Sequence, residues 1–121
     1  MKKMLIGDQW TAASDGRTLP VVSPSNGQVF DEIPRGTALD VDRAVKTARA
    51  ALSGPWGQLN ASERGRILTR IAQKVLDHEE ELAQIEAQDT GKPISTARND
   101  IKVLARYFEF YAGGADKLHG E

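Results

Sequence analysis

The sequence predicts a mixed fold in which two β-hairpins are followed by about four amphipathic α-helices. Short extended stretches separated by turns fill residues 1–36, the hydrophobic period becomes helical after Gly36, and four helical stretches follow. The 121 residues are enough for one ordinary domain. The change at Gly36 (1–36 hairpins, 37–121 helices) is expected to be a transition inside one unit, because no linker-like segment marks it.

The first 36 residues are expected to form two hairpins. Gly7-Asp8 suits a tight turn between the first two strands. The second hairpin turns at Asn26-Gly27, a pair that tolerates positive φ, and it stops at Pro34. The predicted strands are Lys3–Ile6, Gln9–Thr11, Thr18–Val22 and Gln28–Ile33.

The first two helices carry capping signals. Thr37 with Asp40 resembles a capping box that has Asp in place of the usual Glu, and Asn60 with Glu63 repeats the signal. An apolar stripe at helical spacing follows each cap. The stripes are Val41, Ala44, Val45, Ala48 and Leu52 on the first helix, and Ile67, Leu68, Ile71, Ala72, Val75 and Leu76 on the second.

The third helix is shorter and is expected to start at Asp77. The acidic residues 79–81 suit the positive end of a helix dipole, and Gly91 is expected to end the helix in a left-handed conformation. The fixed φ of Pro93 suits the first turn of the fourth helix, which is expected to continue to Gly120. The expected inward residues are Leu82 and Ile85 on the third helix, and Ala97, Ile101, Leu104, Ala105, Phe108, Tyr111, Ala112, Ala115 and Leu118 on the fourth.

These stripes offer more apolar surface than two small hairpins can cover. A fully buried large apolar side chain contributes about 1.5 to 3 kcal/mol, whereas a fold is stabilised by only about 5 to 15 kcal/mol in total. The stripes therefore need a partner surface. Two alternatives remain open at this point: the helices bury one another as a small bundle, or they pack against further protein.

Composition excludes several classes of function. Sixteen basic and seventeen acidic residues give a net charge of -1, which disfavours nucleic-acid and anionic-membrane partners. The absence of cysteine excludes disulfides, thiolate metal sites and a cysteine nucleophile, and His78 and His119 are far apart. The N-terminal residues 1–6 have neither a secretion signal nor a membrane span, so we expect a cytoplasmic protein without membrane contact.

Several residues that suggest a ligand site have ordinary structural interpretations. The Gly91-Lys92-Pro93 stretch lacks the other residues of a phosphate-binding loop, and no G-x-G-x-x-G occurs. His78 is expected to be a solvated residue at a helix start. Trp10 and Trp56 are expected to pin a hairpin and a loop onto a core through buried rings.

Seven short motifs in this chain follow one another in an order that is found in a known enzyme family. They are Ile6–Trp10, Val22–Val29, Asp40–Val45, Trp56, Ala61–Leu68, Asp89–Pro93 and Tyr111–Gly120. Together they resemble the N-terminal segment of the NAD(P)-dependent aldehyde dehydrogenases. The resemblance covers nearly the whole chain.

The resemblance implies that residues 1–121 are the N-terminal part of an α/β enzyme with a Rossmann-type cofactor domain. Its members oxidise an aldehyde to a carboxylic acid with NAD or NADP, using a cysteine nucleophile and a glutamate base. Neither catalytic residue lies in the part that this chain resembles, and neither does the nucleotide site. The implied partners are an aldehyde and the remainder of the subunit, in a homo-oligomer, and the isolated chain is predicted to be inactive.

The resemblance also implies two lesser sites. Val21, Val22 and Asp89 match positions that supply oxygens to a structural monovalent cation, K⁺ or Na⁺. Asn99 and Val103 match positions that line the aldehyde entrance. From the residues alone, Asp89 is favoured as a local capping carboxylate. The alternative to the enzyme hypothesis is a free-standing helical module for protein interaction, without catalysis.

Overall fold

The computed structural model describes residues 2–118 and residue 120, and its elements confirm the predicted fold. Two antiparallel hairpins precede four helices of at least 12 residues. An additional single-turn helix, which we did not expect, follows the first of them. The elements are β1 (Met4–Ile6), β2 (Gln9–Thr11), β3 (Thr18–Val22), β4 (Val29–Pro34), α1 (Ala38–Ser53), α2 (Pro55–Gln58), α3 (Ala61–Asp77), α4 (Glu79–Thr90) and α5 (Ile94–Gly114). His119 lies outside the described residues.

Both hairpins turn at a glycine, as predicted. Gly7 has a φ of 65° and joins β1 to β2, so that Ile6 pairs with Gln9 across a two-residue turn. Gly27 has a φ of 72° in the turn between β3 and β4. Glycine adopts such positive φ values without the steric cost that a Cβ atom imposes.

The predicted cap at the start of α1 is confirmed and has an additional partner. Asp40 Oδ2 accepts hydrogen bonds from the backbone N–H groups of Thr37 at 2.9 Å and of Ser14 at 3.1 Å. The Asp40 side chain is buried. These bonds lower the pKa of Asp40 from 3.8 to about 2, and the bond from Thr37 has the largest effect. The carboxylate thus helps to cap the N-terminus of α1 and also bonds the loop at Ser14 to it.

The second predicted cap is also confirmed, and His78 connects α3 to α4. Asn60 Oδ1 accepts from the Glu63 N–H at 2.9 Å, and Glu63 Oε2 accepts from the Asn60 N–H at 2.8 Å. His78 is exposed, and its Nδ1 lies 2.8 Å from the carbonyl oxygen of Lys74. This contact engages one of the last carbonyls of α3, which have no partner within the helix.

The connection between α4 and α5 follows the prediction closely. α4 begins at Glu79, two residues later than predicted, and ends at Thr90; the next residue, Gly91, has a φ of 73°. Pro93 has a φ of -58° and precedes the first residue of α5, Ile94. The left-handed glycine and the fixed φ of the proline therefore reverse the chain in three residues.

The predicted end of the last helix was wrong. α5 ends at Gly114 instead of near Gly120, because consecutive glycines have poor helix propensity. The N–H groups of Ala115 and Lys117 bond to carbonyls three residues earlier, which is the tighter pattern of a helix terminus. Leu118, which we expected on the apolar face, lies beyond the helix and is exposed.

Alanine dominates the buried cluster formed by α3, α4 and α5, and many larger apolar residues remain exposed. On α4, for example, Ala83 is buried whereas Ile85 is 54% exposed, so the inward prediction for Ile85 was wrong. The rings of Trp10 and Trp56 are exposed as well, contrary to expectation. Closely packed alanines hold the helices together while larger neighbours stay at the rim. The cluster is Ala72, Val75, Ala83, Ala97, Ile101 and Ala105. Large exposed residues from the predicted stripes are Val41, Val45, Leu52, Ile71, Leu76, Leu104 and Tyr111.

The chain divides into two compact units, one ending at Gln58 and one beginning at Leu59. The first contains both hairpins, α1 and α2, and the second contains α3, α4 and α5. The change from hairpins to helices that we expected at Gly36 lies between β4 and α1, inside the first unit.

Candidate functional site

One face of α5 presents polar, apolar and aromatic side chains to solvent. Asn99 and Val103, the two residues expected at a substrate entrance, lie one helical turn apart on this face, and Tyr107 follows one turn later. All three side chains are exposed, as is that of Phe110. We call Asn99, Val103, Tyr107 and Phe110 the α5 outer face.

The α5 outer face points outward because the opposite side of the helix is buried. Ala97, Ile101 and Ala105 recur every fourth residue and are all buried. At roughly 100° per residue, Val103 lies about 160° around the helix from Ile101. The packing of the small residues therefore determines which side chains of α5 remain available to a ligand.

A shallow cavity covers part of this face. It has a volume of about 330 Å³ and is lined by Val103, Arg106, Tyr107, Phe110 and Tyr111. The rings of Phe110 and Tyr111 are nearly perpendicular, with their centroids 5.3 Å apart. The guanidinium of Arg106 forms an ion pair with a neighbouring carboxylate on the same helix. The lining is thus mainly apolar, which suits an apolar group of a substrate or a side chain from further protein.

A lysine between α4 and α5 bridges the two helices. Lys92 Nζ donates a hydrogen bond to Glu86 Oε1 at 2.6 Å and another to Asp100 Oδ2 at 2.8 Å. The bond to Asp100, followed in size by the bond to Glu86, raises the pKa of Lys92 above its usual value. The ammonium group therefore links the end of α4 to the beginning of α5.

A second ion pair joins the same helices. Arg98 donates from Nε and Nη2 to the two carboxylate oxygens of Glu80, at 2.8 Å and 2.9 Å. This bidentate bond, with a smaller contribution from Gln84, lowers the pKa of Glu80 to about 2. The pair is more exposed to solvent than Lys92.

The three residues expected to bind a monovalent cation come from both compact units. Val21 and Val22 lie on β3 in the first unit, and Asp89 lies on α4 in the second. The ladder between β3 and β4 changes register between the two valines, which leaves Phe30 as an extra residue on β4. Such irregularities release backbone groups from the regular ladder.

The oxygens of these residues suit a hard cation. Val21 and Val22 can offer only backbone carbonyls, and Asp89 can offer a carboxylate. The Asp89 side chain is exposed, and no bond to its carboxylate occurs within the described part of the chain. The residue is therefore not used as the local cap that its sequence position suggested. The cation site itself remains a prediction.

Sequence reasoning placed Asn99 and Val103 on one helix but missed the rest of the α5 outer face. Tyr107 could have been found, because it continues the four-residue spacing of those two residues. Lys92 lies in the Gly91-Lys92-Pro93 connection and in the Asp89–Pro93 motif, and neither pattern indicates an ion pair. Its two carboxylate partners lie on different helices, so no short sequence motif indicates them.

Other kinds of site receive no support. Among residues 2–118 and 120, no three His, Cys, Asp or Glu side chains are grouped in a way that could hold a metal ion. No helix within those residues has the length and apolar character to cross a membrane. The 121 residues contain no G-x-G-x-x-G motif of the kind that binds the pyrophosphate of a dinucleotide.

Comparison with known proteins gives a consistent result. The model of the aldehyde dehydrogenase family matches residues 10–121. Aldehyde dehydrogenase family 2 member B4, mitochondrial, from Arabidopsis thaliana is 42% identical over 98% of this chain and 22% of its own length. A Burkholderia cenocepacia structure assigned to the aldehyde dehydrogenases is 59% identical with a TM-score of 0.95, over 98% of this chain and 25% of that one. The NAD-dependent aldehyde dehydrogenase from Sinorhizobium meliloti is 38% identical with a TM-score of 0.94, over 99% of this chain and 24% of that one.

The similarity extends along almost all of this chain but covers only about a quarter of each relative. It agrees with the order of elements described above and with the seven motifs in the sequence. On this basis the chain belongs to the aldehyde dehydrogenase family.

Proposed function

We propose that this chain is the N-terminal portion of an enzyme subunit that oxidises an aldehyde to a carboxylic acid with NAD or NADP. Family membership is the observation that carries this proposal. The chain spans about a quarter of the length of its relatives, so the activity belongs to a larger assembly of elements. The proposed partners are an aldehyde and the remainder of the subunit, in a homo-oligomer located in the cytoplasm.

The isolated chain is proposed to be catalytically inactive. Oxidation of an aldehyde by this family's chemistry needs a thiolate that adds to the carbonyl carbon, and the 121 residues contain no cysteine. When bound, the nicotinamide cofactor would accept a hydride. Because these residues do not fit a nucleotide site, we assign the chain no step that involves the cofactor.

The proposed role of the chain is to support the cofactor-binding part of the subunit. Large apolar residues remain exposed on all four long helices, for example Leu52, Ile71, Ile85 and Phe110. Apolar surface of this extent favours contact with further protein. The larger size of the relatives makes the remainder of the subunit the proposed partner.

The α5 outer face is proposed to line the route of the aldehyde. Asn99 and Val103 are carried over from the family resemblance, and their shared exposure on one helix face supports this role. The apolar lining around Val103 and Tyr107 suits a substrate that has an apolar side group. Val21, Val22 and Asp89 are proposed to bind a structural K⁺ or Na⁺ with backbone and carboxylate oxygens.

A chimera provides the direct test. This chain would replace the matching quarter of the Sinorhizobium meliloti NAD-dependent enzyme, and NADH formation from an aldehyde would be measured. We expect an NAD-dependent rate within roughly tenfold of the parent enzyme, because the chain would supply the same supporting surfaces. A control with the order of α3, α4 and α5 scrambled should be inactive. A chimera that is inactive, or that fails to assemble, would contradict the proposal.

The alternative, a free-standing interaction module, is favoured by the buried cluster that the second unit possesses. It predicts that the purified 121-residue chain unfolds cooperatively in urea and binds little hydrophobic dye. The enzyme-portion proposal predicts a broad transition and strong dye binding. It also predicts that the chain with an aldehyde and NAD forms no NADH.

A further inference from the structure

The connection between α4 and α5 contains a charge cluster that consists of Lys92, Glu86 and Asp100. Lys92 Nζ lies 2.6 Å from Glu86 Oε1 on α4 and 2.8 Å from Asp100 Oδ2 on α5. The Lys92 side chain is only 27% exposed, so this ammonium is shielded from water more than most surface lysines. Charge-assisted bonds of this kind are stronger than bonds between neutral groups. One side chain therefore crosslinks the two helices.

Asp100 places this crosslink next to the α5 outer face. At about 100° per residue, Asp100 lies roughly 60° around the helix from Val103 and about 20° from Tyr107. Arg98, which bonds to Glu80, lies roughly 140° from Val103. A third link joins Lys102 on α5 to Glu79 on α4 at 3.5 Å, and Lys102 lies about 100° from Val103. Of the three links between α4 and α5, the Lys92 link therefore lies nearest to Val103 around the helix.

Near this position α5 packs on α4 through its buried side. The first buried residues of the helix are Ala97 and Ile101, and the buried residue contributed by α4 is Ala83. These apolar contacts hold the helices together but fix no polar group at the exposed edge of the pair. The crosslink from Glu86 through Lys92 to Asp100 adds a directional contact at that edge, because it fixes one point of each helix.

We propose that Lys92 is a positioning residue for aldehyde binding, which holds the α5 outer face in place through Asp100 without touching the substrate. This inference rests on the proposed function, since it requires that Asn99 and Val103 line the aldehyde entrance. The reacting groups come from outside this chain. Loss of the link therefore weakens aldehyde binding more than it slows the chemical step.

The test uses the active chimera described above and measures kcat and KM separately. Lys92→Met removes the ammonium and keeps the length of the side chain, and we expect the aldehyde KM to rise by roughly threefold to tenfold. The kcat and the KM for NAD should stay within about twofold. Lys92→Arg retains a cation that can bridge two carboxylates, so it should restore the aldehyde KM to within about twofold.

Arg98→Met is the matched control, because it breaks a different link between α4 and α5, the bidentate pair with Glu80 on the opposite flank. It should leave the aldehyde KM within about twofold of the parent value. An unchanged KM in Lys92→Met would overturn the inference, and so would an equal rise in Arg98→Met. If Lys92→Met does not fold, Asp100→Asn replaces it with the same expected rise and the same contradicting result. An inactive parent chimera would instead contradict the proposed function.

Discussion

The backbone of Gly65 on α3 lies against the carbonyl group of Ala112 on α5, with no room for a side chain between them. A Cβ atom added to Gly65 would lie 2.7 Å from the Ala112 oxygen, closer than real Cβ atoms approach a backbone oxygen. The same atom would be 3.5 Å from the Cβ of Ala115. Gly65 is therefore required by the packing of the two longest helices, and its own φ does not demand glycine.

We predict that Gly65→Ala destabilises the fold by about 1 to 3 kcal/mol, the usual cost of overpacking a tight contact. The two backbones must separate, because a carbonyl oxygen cannot move aside as a flexible side chain can. The urea midpoint of the 121-residue chain, followed by its helical circular dichroism, measures the effect.

Gly113→Ala is the matched control for that variant. Nothing lies within 4 Å of a Cβ at this position, which is also within α5. Alanine there should leave the midpoint unchanged or raise stability by up to about 1 kcal/mol, because alanine favours the helix. Equal midpoint changes in both variants would show that the contact with Ala112 is not the cause.

The start of α1 should make the fold sensitive to acid. The hydrogen bonds from Thr37 and Ser14 lower the pKa of Asp40 from 3.8 to about 2. A lowered carboxyl pKa contributes stability that is fully present above the unfolded-state value and is lost as the pH falls through the folded-state value. Asp40 should therefore stabilise α1 above about pH 4 and stop doing so near pH 2.

We predict that Asp40→Asn lowers the thermal midpoint at neutral pH and reduces the further fall of that midpoint between about pH 4 and pH 2. Thermal unfolding of both chains over this range measures it. Asp42→Asn, on the exposed part of α1, serves as the control and should leave the acid-induced fall unchanged. Parallel curves for the Asp40 variant and the parent chain would contradict this assignment.

Features that depend on a few neighbouring residues could be predicted from the sequence. The capping pair Asn60 and Glu63 spans only three positions, and its hydrogen bonds form whenever the helix begins there. Gly91 ends a helix for an equally local reason, because a left-handed residue costs glycine little. The order of strands and helices follows from such signals together with the hydrophobic period.

Features that depend on which surfaces meet could not be predicted in this way. Ile85 fits an inward helical pattern, yet the smaller Ala83 takes the buried position. The link from Lys92 to Asp100 joins residues eight positions apart across a chain reversal. In the candidate site, the sequence indicated Asn99 and the buried Ala97 and Ile101 beside it, but not the ion pair that Asp100 forms. Tertiary packing selects among several faces that a sequence pattern leaves equally plausible.

The proposed cation site, which includes Asp89 on α4, gives a further prediction. Asp89→Asn in the chimera should abolish most of the thermal stabilisation that K⁺ or Na⁺ provides over choline at equal ionic strength. The carboxylate is the only charged ligand among the proposed oxygens, and an amide attracts a monovalent cation less strongly. Differential scanning fluorimetry in the three salts measures this difference.

Glu81→Gln is the control for the cation experiment, because Glu81 is an exposed acidic residue in the first turn of the same helix. Its chimera should keep the full difference between K⁺ or Na⁺ and choline. A cation effect that survives Asp89→Asn, or that is absent from the parent chimera, would exclude Asp89 as a ligand.

The α5 outer face gives a prediction about substrate size. Val103→Trp should narrow the proposed entrance, so it should raise the KM of the chimera for benzaldehyde by roughly tenfold and that for acetaldehyde by about twofold or less. The reason is steric: Val103 is exposed beside Tyr107, and an indole placed there projects into the space that a bulky aldehyde is proposed to cross. Lys46→Trp adds the same indole at an exposed position of α1, which belongs to the other compact unit, and should leave the ratio of the two KM values unchanged. If Val103→Trp changes both KM values equally, residue 103 does not select by size, and the entrance must be sought on another face.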